Sequence, residues 1–220
     1  MIKISNPSKM KITGKRVGCW SLEARVSCPG SKDEEGNIVE VCKSCYATKG
    51  MYRFPVVKAA RQTNRDDYHK DDWVDRMVKQ VSKYDYFRFF DSGDCETHEL
   101  ACKIKQVVDK CPNTLFWIPT RSDKIERIGS VLLPHKFSDG TYSHALGARA
   151  NAVVRPSADN IGLNNKERSG VNSYVIEPKD IFEAKKQGIH VCPVGINANQ
   201  KTCDTCTMCY TDAKVAYVVH

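Results

Sequence analysis

Four cysteines near the carboxyl end constrain this chain more than any other feature. Cys192 stands beside Pro193, and Cys203, Cys206 and Cys209 follow at every third position. A loop that turns through this spacing aims its sulfurs at one point. Thiolates brought that close repel one another unless a metal neutralises them. Iron–sulfur clusters take cysteines from CxxCxxC runs plus one remote ligand, and structural zinc takes four thiolates from CxxC pairs. Buried free cysteines have no reason to keep such a register. The segment 192–210 therefore reads as a metal-binding nest, with His190 and His220 as the histidines able to stand in for a thiolate.

A second group lies in the N-terminal segment 19–46, where Cys28 follows the turn signature Ser27-Cys28-Pro29-Gly30 and Cys42 and Cys45 form a CxxC pair. Three thiolates are informative because a closed zinc site needs four ligands, whereas three leave a position open for chemistry. Cys19 is the available fourth. Cys95, Cys102 and Cys111 lack ligand spacing and read as core or surface thiols. The beginning Met1-Ile-Lys-Ile-Ser-Asn-Pro has no apolar signal core, and no run of about eighteen apolar residues exists. An intracellular, reducing setting is expected, where 11 cysteines are better explained by metal than by disulfides.

The remaining pattern is that of a single α/β domain over residues 1–220. Short apolar runs alternate with amphipathic stretches: Val17–Leu22, Tyr86–Phe90, Thr114–Ile118, Asn151–Val154, Val171–Ile176 and Ile189–Cys192 read as strands. Pro55 opens a helix running toward Asn64. Trp73, Val74, Met77, Val78 and Val81 line one helical face, and Leu100, Ile104, Val107 and Val108 another. Further helices are expected over 123–133 and 179–187, the latter closed by Gly188. A loop or hairpin is expected over 134–150, a polar loop over 160–170 and a short closing strand at 217–219. Repeated βα units imply a mainly parallel sheet, either open or a partial barrel, with the Cys-rich loops at the two ends of the chain.

In such sheets the loops at the carboxyl ends of the strands gather into one site. Those exits carry Cys28, then Asp91, Ser92 and Asp94, then Thr120 and Arg121, then Arg155 and Ser157, then Cys192. Arg121 and Arg155 are able to grip a carboxylate or phosphate bidentately. Asp91 and Asp94 suit ribose hydroxyls or an amino group, or one of them a base. Asp91, Ser92, Asp94, Arg121 and Arg155 are thus the candidate cofactor-binding residues. Ser and Asp at any single exit also serve as ordinary helix caps.

The formal net charge is +8. Most of it is spread over helices that also carry acids, as a solvated surface would be. A nucleotide or nucleic-acid partner is the alternative. The run from Tyr46 to Arg61 interleaves aromatic and basic residues beside the second cysteine group. It is suited equally to stacking on a nucleotide and to packing around a helix entry.

The blocks Cys28-Pro-Gly, Cys42-Lys-Ser-Cys45-Tyr-Ala-Thr-Lys-Gly-Met-Tyr-Arg-Phe54, Phe87-Arg-Phe-Phe-Asp-Ser-Gly-Asp94, Ile118-Pro-Thr-Arg121 and Val153-Val-Arg-Pro-Ser157, followed by the C-terminal nest, resemble the bacteriophage gene-product-88-like family. That resemblance covers residues 10–220 and implies a phage-encoded protein working in the host bacterial cytoplasm. More distantly, a three-cysteine group after a first strand on a chain of βα units is similar to radical S-adenosylmethionine enzymes. The similarity implies that Cys28, Cys42 and Cys45 hold a [4Fe-4S] cluster. It also places Ser92-Gly93-Asp94 opposite the methionyl amine and makes the second nest an auxiliary cluster. The alternatives are a non-catalytic iron–sulfur protein that binds nucleic acid or a host protein, and a zinc protein that clasps CxxC pairs from both ends.

Overall fold

The computed structural model describes residues 1–135, 138, 144–164, 172–194, 196 and 199–219. Residues 136, 137 and 139–143 of the expected 134–150 hairpin, residues 165–170 of the expected 160–170 loop, Val171 and His220 lie outside the described residues. An eight-stranded sheet organises the rest in the order β1-β2-β3-β4-β5-β6-β8-β7. Its members are β1 (Ile4–Ser5), β2 (Val17–Trp20), β3 (Tyr86–Phe89), β4 (Leu115–Thr120), β5 (Ala152–Ile161), β6 (Ser173–Ile176), β7 (His190–Val191) and β8 (Val215–Val218). Every neighbouring pair is parallel except β1 with β2. From β2 to β6 each strand lies beside the next in sequence, and β8 then inserts between β6 and β7. The edge strand β1 was not legible in the sequence, because a two-residue strand carries no periodicity.

Six helices are described: α1 (Glu40–Lys43), α2 (Pro55–Asp67), α3 (Trp73–Val81), α4 (His98–Lys110), α5 (Glu126–Leu132) and α6 (Ile181–Lys186). Pro55 occupies the first turn of α2, where its missing N–H costs nothing. The Thr97 hydroxyl accepts from Leu100 N at 3.1 Å and starts α4. None of the described helices is long and apolar enough to cross a membrane.

Strand alternation divides the sheet into two faces. Trp20, Phe87, Phe89, Phe116, Ile118 and Val154 turn toward α3, α4 and α5 and are buried with Trp73, Met77, Leu100, Ile104 and Leu132. Edge-to-face rings such as Trp20–Trp73 (centroids 5.5 Å apart) fill this side. The opposite register, Cys19, Arg88, Trp117 and Arg155, faces away from that core. It is covered by the N-terminal residues around Met10 and by the C-terminal nest. The Cys203 and Asp204 amides donate to the carbonyls of Lys9 and Lys11, and Thr13 N donates to Asp204 O. The two ends of the chain thus close one side of the sheet together.

One strand differs from expectation. The run 151–154 continues as β5 through Arg155, Pro156 and Ser157 to Ile161. Pro156 pairs with Thr120 at the end of β4, and an irregularity between Ser157 and Ile161 adjusts the register. Pro156 stands one residue before the pairing of β5 with β6 begins at Ser157, so on that side its missing N–H interrupts no ladder bond. Arg155 accordingly lies inside a strand, not at its exit.

Candidate functional site

The three-cysteine group forms where β2 ends. Arg25 adopts a positive φ of 67°, and its N–H points at Cys28 Sγ at 3.3 Å. The 3-10 turn Pro29–Ser31 follows, and the Ser31 hydroxyl donates to Cys28 O at 2.7 Å. Gly30 is obligatory there: a Cβ would lie 2.2 Å from Arg121 O, so the turn is pressed onto the exit of β4. α1 then carries Cys42, and its last carbonyls, Cys42 O and Lys43 O, accept from the Arg25 guanidinium at 3.4 and 3.3 Å. Cys45 ends this short path, with Thr48 Oγ1 donating to its carbonyl at 2.8 Å.

Burial pushes the Cys28 thiol up to about 12, and the charges of Asp94, Cys42 and Cys45 add to it. Burial also raises Cys42, opposed by Arg121 and reinforced by Cys45. Cys28 thus feels both other sulfurs and Cys42 feels Cys45, and Arg121 is the cation that acts on Cys42.

Asp94 stands behind this group. Its carboxylate accepts from Cys95 N and Thr120 Oγ1, each at 2.7 Å, and from Arg121 N and Ser122 N at 2.7 and 3.2 Å. Burial raises this carboxyl in spite of those donors. It locks the β3 exit to the β4 exit. Gly93 (φ 74°) permits the approach, since a Cβ would sit 2.6 Å from Ser27 Oγ.

Ser92 Oγ donates to Leu22 O at 2.7 Å and accepts from Arg61 Nε. Asp91 accepts from Tyr52 OH at 2.6 Å and Arg88 at 3.2 Å. The Arg121 guanidinium donates to Ala158 O at 2.9 and 2.8 Å. These four candidate cofactor-binding residues all gather at the strand ends beside the three sulfurs, and each already has protein partners.

Arg155 does not join them. Fully buried, it donates to the carbonyls of Ala213 (2.7 Å), Thr211 (2.8 Å), Asn172 and Met208 (both 3.3 Å) and Cys209 (3.5 Å). It clamps the backbone of the C-terminal nest from the sheet side. The four sulfurs of that nest line one cavity, together with His190, Trp117, Met10 and Ile12, with room of about 20 Å³. Cys206 Sγ is 3.5 Å from His190 Nε2, and Cys209 Sγ is 3.2 Å from Tyr217 OH. Burial lifts the Cys203 thiol to about 12 and Cys192 to about 11, with Cys206 and Cys209 reinforcing both. Among the described residues no group of three or more His, Cys, Asp or Glu side chains stands in metal-binding geometry. What the structure brings together is two separate sets of thiols, three at the strand ends and four against the sheet.

Cys19 belongs to neither set. It is fully buried in β2 with its sulfur 3.4 Å from Ser21 Oγ, and burial raises its thiol to about 11.

Sequence reasoning missed Arg88. Its guanidinium lies 4.2 Å over the Trp117 ring, donates to Phe90 O at 3.1 Å and reaches Tyr46 OH at 3.4 Å. Tyr46 adjoins Cys45, and Trp117 touches Tyr210 and Tyr217 beside Cys209 (centroids 6.0 and 6.3 Å). Arg88 thus joins the surroundings of both thiol sets. The available signal was one cation inside the aromatic strand Tyr86-Phe-Arg-Phe89.

A family model described as gene product 88 matches residues 3–211, a span that includes both thiol sets. The chain belongs to that family. The resemblance drawn from the residue blocks is therefore correct at the level of the gene product 88 family. No curated protein and no solved structure matches this gene product 88 chain.

Proposed function

We propose that this gene product 88 protein is phage-encoded, works in the host cytoplasm and holds metal at two thiolate centres, the N-terminal one a [4Fe-4S] cluster on Cys28, Cys42 and Cys45. The observation that carries the reading is the separation of the cysteines into an electrostatically coupled set of three at the strand ends and a set of four lining one cavity. The donor chemistry fits, since both sets are sulfur. Strands β2 to β6 running in sequence order support a partial barrel whose carboxyl end holds the three-cysteine centre.

Cys28, Cys42 and Cys45 would hold such a cluster, which would supply the electron-transfer and S-adenosylmethionine chemistry that the distant similarity implies. This chain's own residues do the rest. Arg25 and Thr48 fix the loop that carries the sulfurs, and Arg121 favours the thiolate at Cys42. Asp94 holds the β3 and β4 exits at one distance behind Cys28, and Arg155 fixes the second nest. Cys192, Cys203, Cys206 and Cys209 then form a closed four-thiolate site. For that second centre a single zinc ion is the competing reading, favoured by a cavity of only about 20 Å³.

Anaerobic purification with quantification of iron, sulfide and zinc tests both centres. Iron and sulfide lost selectively in Cys42→Ser, with the second metal lost selectively in Cys206→Ser, is the expected pattern. Protein kept from oxygen that carries neither iron nor zinc overturns the reading. The catalytic version predicts a spectral change of the reduced cluster on adding S-adenosylmethionine and release of deoxyadenosine. Absence of both leaves a non-catalytic cluster.

A further inference from the structure

Between Lys43 and Arg65 the chain carries six Lys or Arg residues and no Asp or Glu, against a net charge of +8 for the whole. Two of the six are used internally. Arg65 pairs with Glu96 at 2.8 Å, and Arg61 lies 4.9 Å over the Tyr52 ring while bonding Ser92. The other four, Lys43, Lys49, Arg53 and Lys58, are exposed, and no carboxylate among the described residues pairs with them.

Large apolar side chains stand between these cations without cover: Met51 is 64% and Phe54 58% exposed. Water solvates a lysine fringe well, so charge alone explains nothing. A phenyl ring and a thioether exposed in the same stretch as four cations that no described carboxylate pairs are a different matter, because together they offer stacking and charge to something flat and anionic. Single-stranded nucleic acid has that chemistry: phosphates for the cations and unpaired bases whose faces stack on an aromatic ring. A duplex hides its bases, and an acidic peptide offers charge without stacking.

We propose that the ridge 43–58 binds a single-stranded nucleic acid, with phosphates on Lys43, Lys49, Arg53 and Lys58 and a base on Phe54. Cys45 lies within this ridge, so a bound strand passes beside the three-thiol set. That the strand is what that centre acts on rests on the function proposed above. The binding itself does not.

The test is fluorescence anisotropy of the full chain with a labelled single-stranded DNA or RNA of about 15 nucleotides, within the range of site sizes such surfaces cover. Four phosphate contacts predict that log K falls with log salt at a slope of about −3. The triple variant Lys49→Ala, Arg53→Ala, Lys58→Ala is expected to flatten that slope and weaken binding at least tenfold. Phe54→Ala is expected to weaken binding about tenfold with the slope unchanged, and Lys179→Ala, paired with Glu177 elsewhere, to change neither.

No binding at low salt, or binding indifferent to the triple variant and to Phe54→Ala, overturns the proposal. So does tighter binding to duplex, or equal competition by polyglutamate of matched charge, which would make the partner an acidic protein. Anisotropy reads no metal. A metal-free protein that binds the strand sinks only the metal reading, and a metal-loaded protein that does not bind sinks only this one.

Discussion

The two thiol sets are built by opposite means. The set of three is held by the loop's own turns: a positive φ at Arg25, a 3-10 turn, a four-residue helix and carbonyl caps, all resting on strand ends. The set of four is held from outside, by Arg155 beneath it and by the N-terminal residues pairing with Cys203 and Asp204. A site held by its own turns stays open on the side away from the scaffold. A site pinned between a sheet and a second segment is held on two sides. On the proposed metal reading, the first set would offer the open position and the second the closed site.

Removing Arg155 should break the closed set outright. Its guanidinium satisfies up to five carbonyls in a fully buried position, and net contributions of about 1.5–3 kcal/mol attach to hydrogen bonds made by charged groups. Arg155→Ala is expected to cost about 3–5 kcal/mol in denaturant unfolding and to strip metal from the four-thiol set first. Retention of that metal with loss at Cys42 instead would reverse the comparison.

A change in the helical layer should affect both sets alike. The Asp67 carboxylate is buried and bonds Arg76 at 2.6 Å, Lys70 at 2.9 Å and the N-terminal amine at 3.0 Å. Burial pushes its carboxyl up, but Arg76, Lys70 and the amine more than reverse this and hold it well below the usual carboxylate range. A depressed folded pKa contributes stability that is present above the unfolded value of about 3.9 and is lost progressively as pH falls from there through the lower folded value. Because the three cationic partners are partly exposed, Asp67→Asn is expected to cost about 2–3 kcal/mol at neutral pH. The difference from the parent chain should shrink below about pH 4, as followed by unfolding at several pH values. A loss confined to one thiol set would show that the helical layer does not support both.

Much of this was legible beforehand, for physical reasons that can be named. Trp73, Met77 and Val81 announce α3 because burial selects apolar residues at helical spacing, and the cysteine register announces two thiol groups because short, regular spacing keeps sulfurs together along the chain. Arg155 was legible as a functional cation but not as a clamp. Its partners are backbone carbonyls some fifty residues away in sequence, and carbonyls carry no residue code. The same holds for Asp94, whose acceptor role toward Arg121 N and Ser122 N looks in sequence like a ligand-binding acid. That β5 runs on past Arg155 was not legible because Pro156 reads as a strand end, although here it still pairs with Thr120 and precedes the first pair with β6 at Ser157.

Asp94 gives the next effect in size, and a selective one. Asn presents one amide N–H₂ where the carboxylate accepted four donors, so at least one of Cys95 N, Thr120 Oγ1, Arg121 N and Ser122 N faces a donor. Asp94→Asn should cost about 2 kcal/mol and loosen the contact between the β3 and β4 exits that backs Cys28. Metal bound by Cys28, Cys42 and Cys45 should fall while that at the second set holds, as read by metal quantification on each variant. Equal loss at both would mean the sets are one mechanical unit.

The smallest expected effect concerns the joint itself. Trp117 receives Arg88 at 4.2 Å on its face and touches Tyr210 and Tyr217, so it is where the surroundings of the two sets meet. Trp117→Phe shortens the ring, weakens a cation–π contact worth about 1–2 kcal/mol and leaves a small cavity. Against that, the Trp117 indole N–H is buried and finds no acceptor among the described residues, so removing it relieves a cost of about 1 kcal/mol or more. These terms nearly cancel, and a net loss of about 1 kcal/mol is expected. The informative readout is therefore a double-mutant cycle with Asp94→Asn. Additivity would mean the open and closed sets are independent, whereas a coupling of about 0.5 kcal/mol or more would mean that Arg88 and Trp117 transmit strain from one to the other.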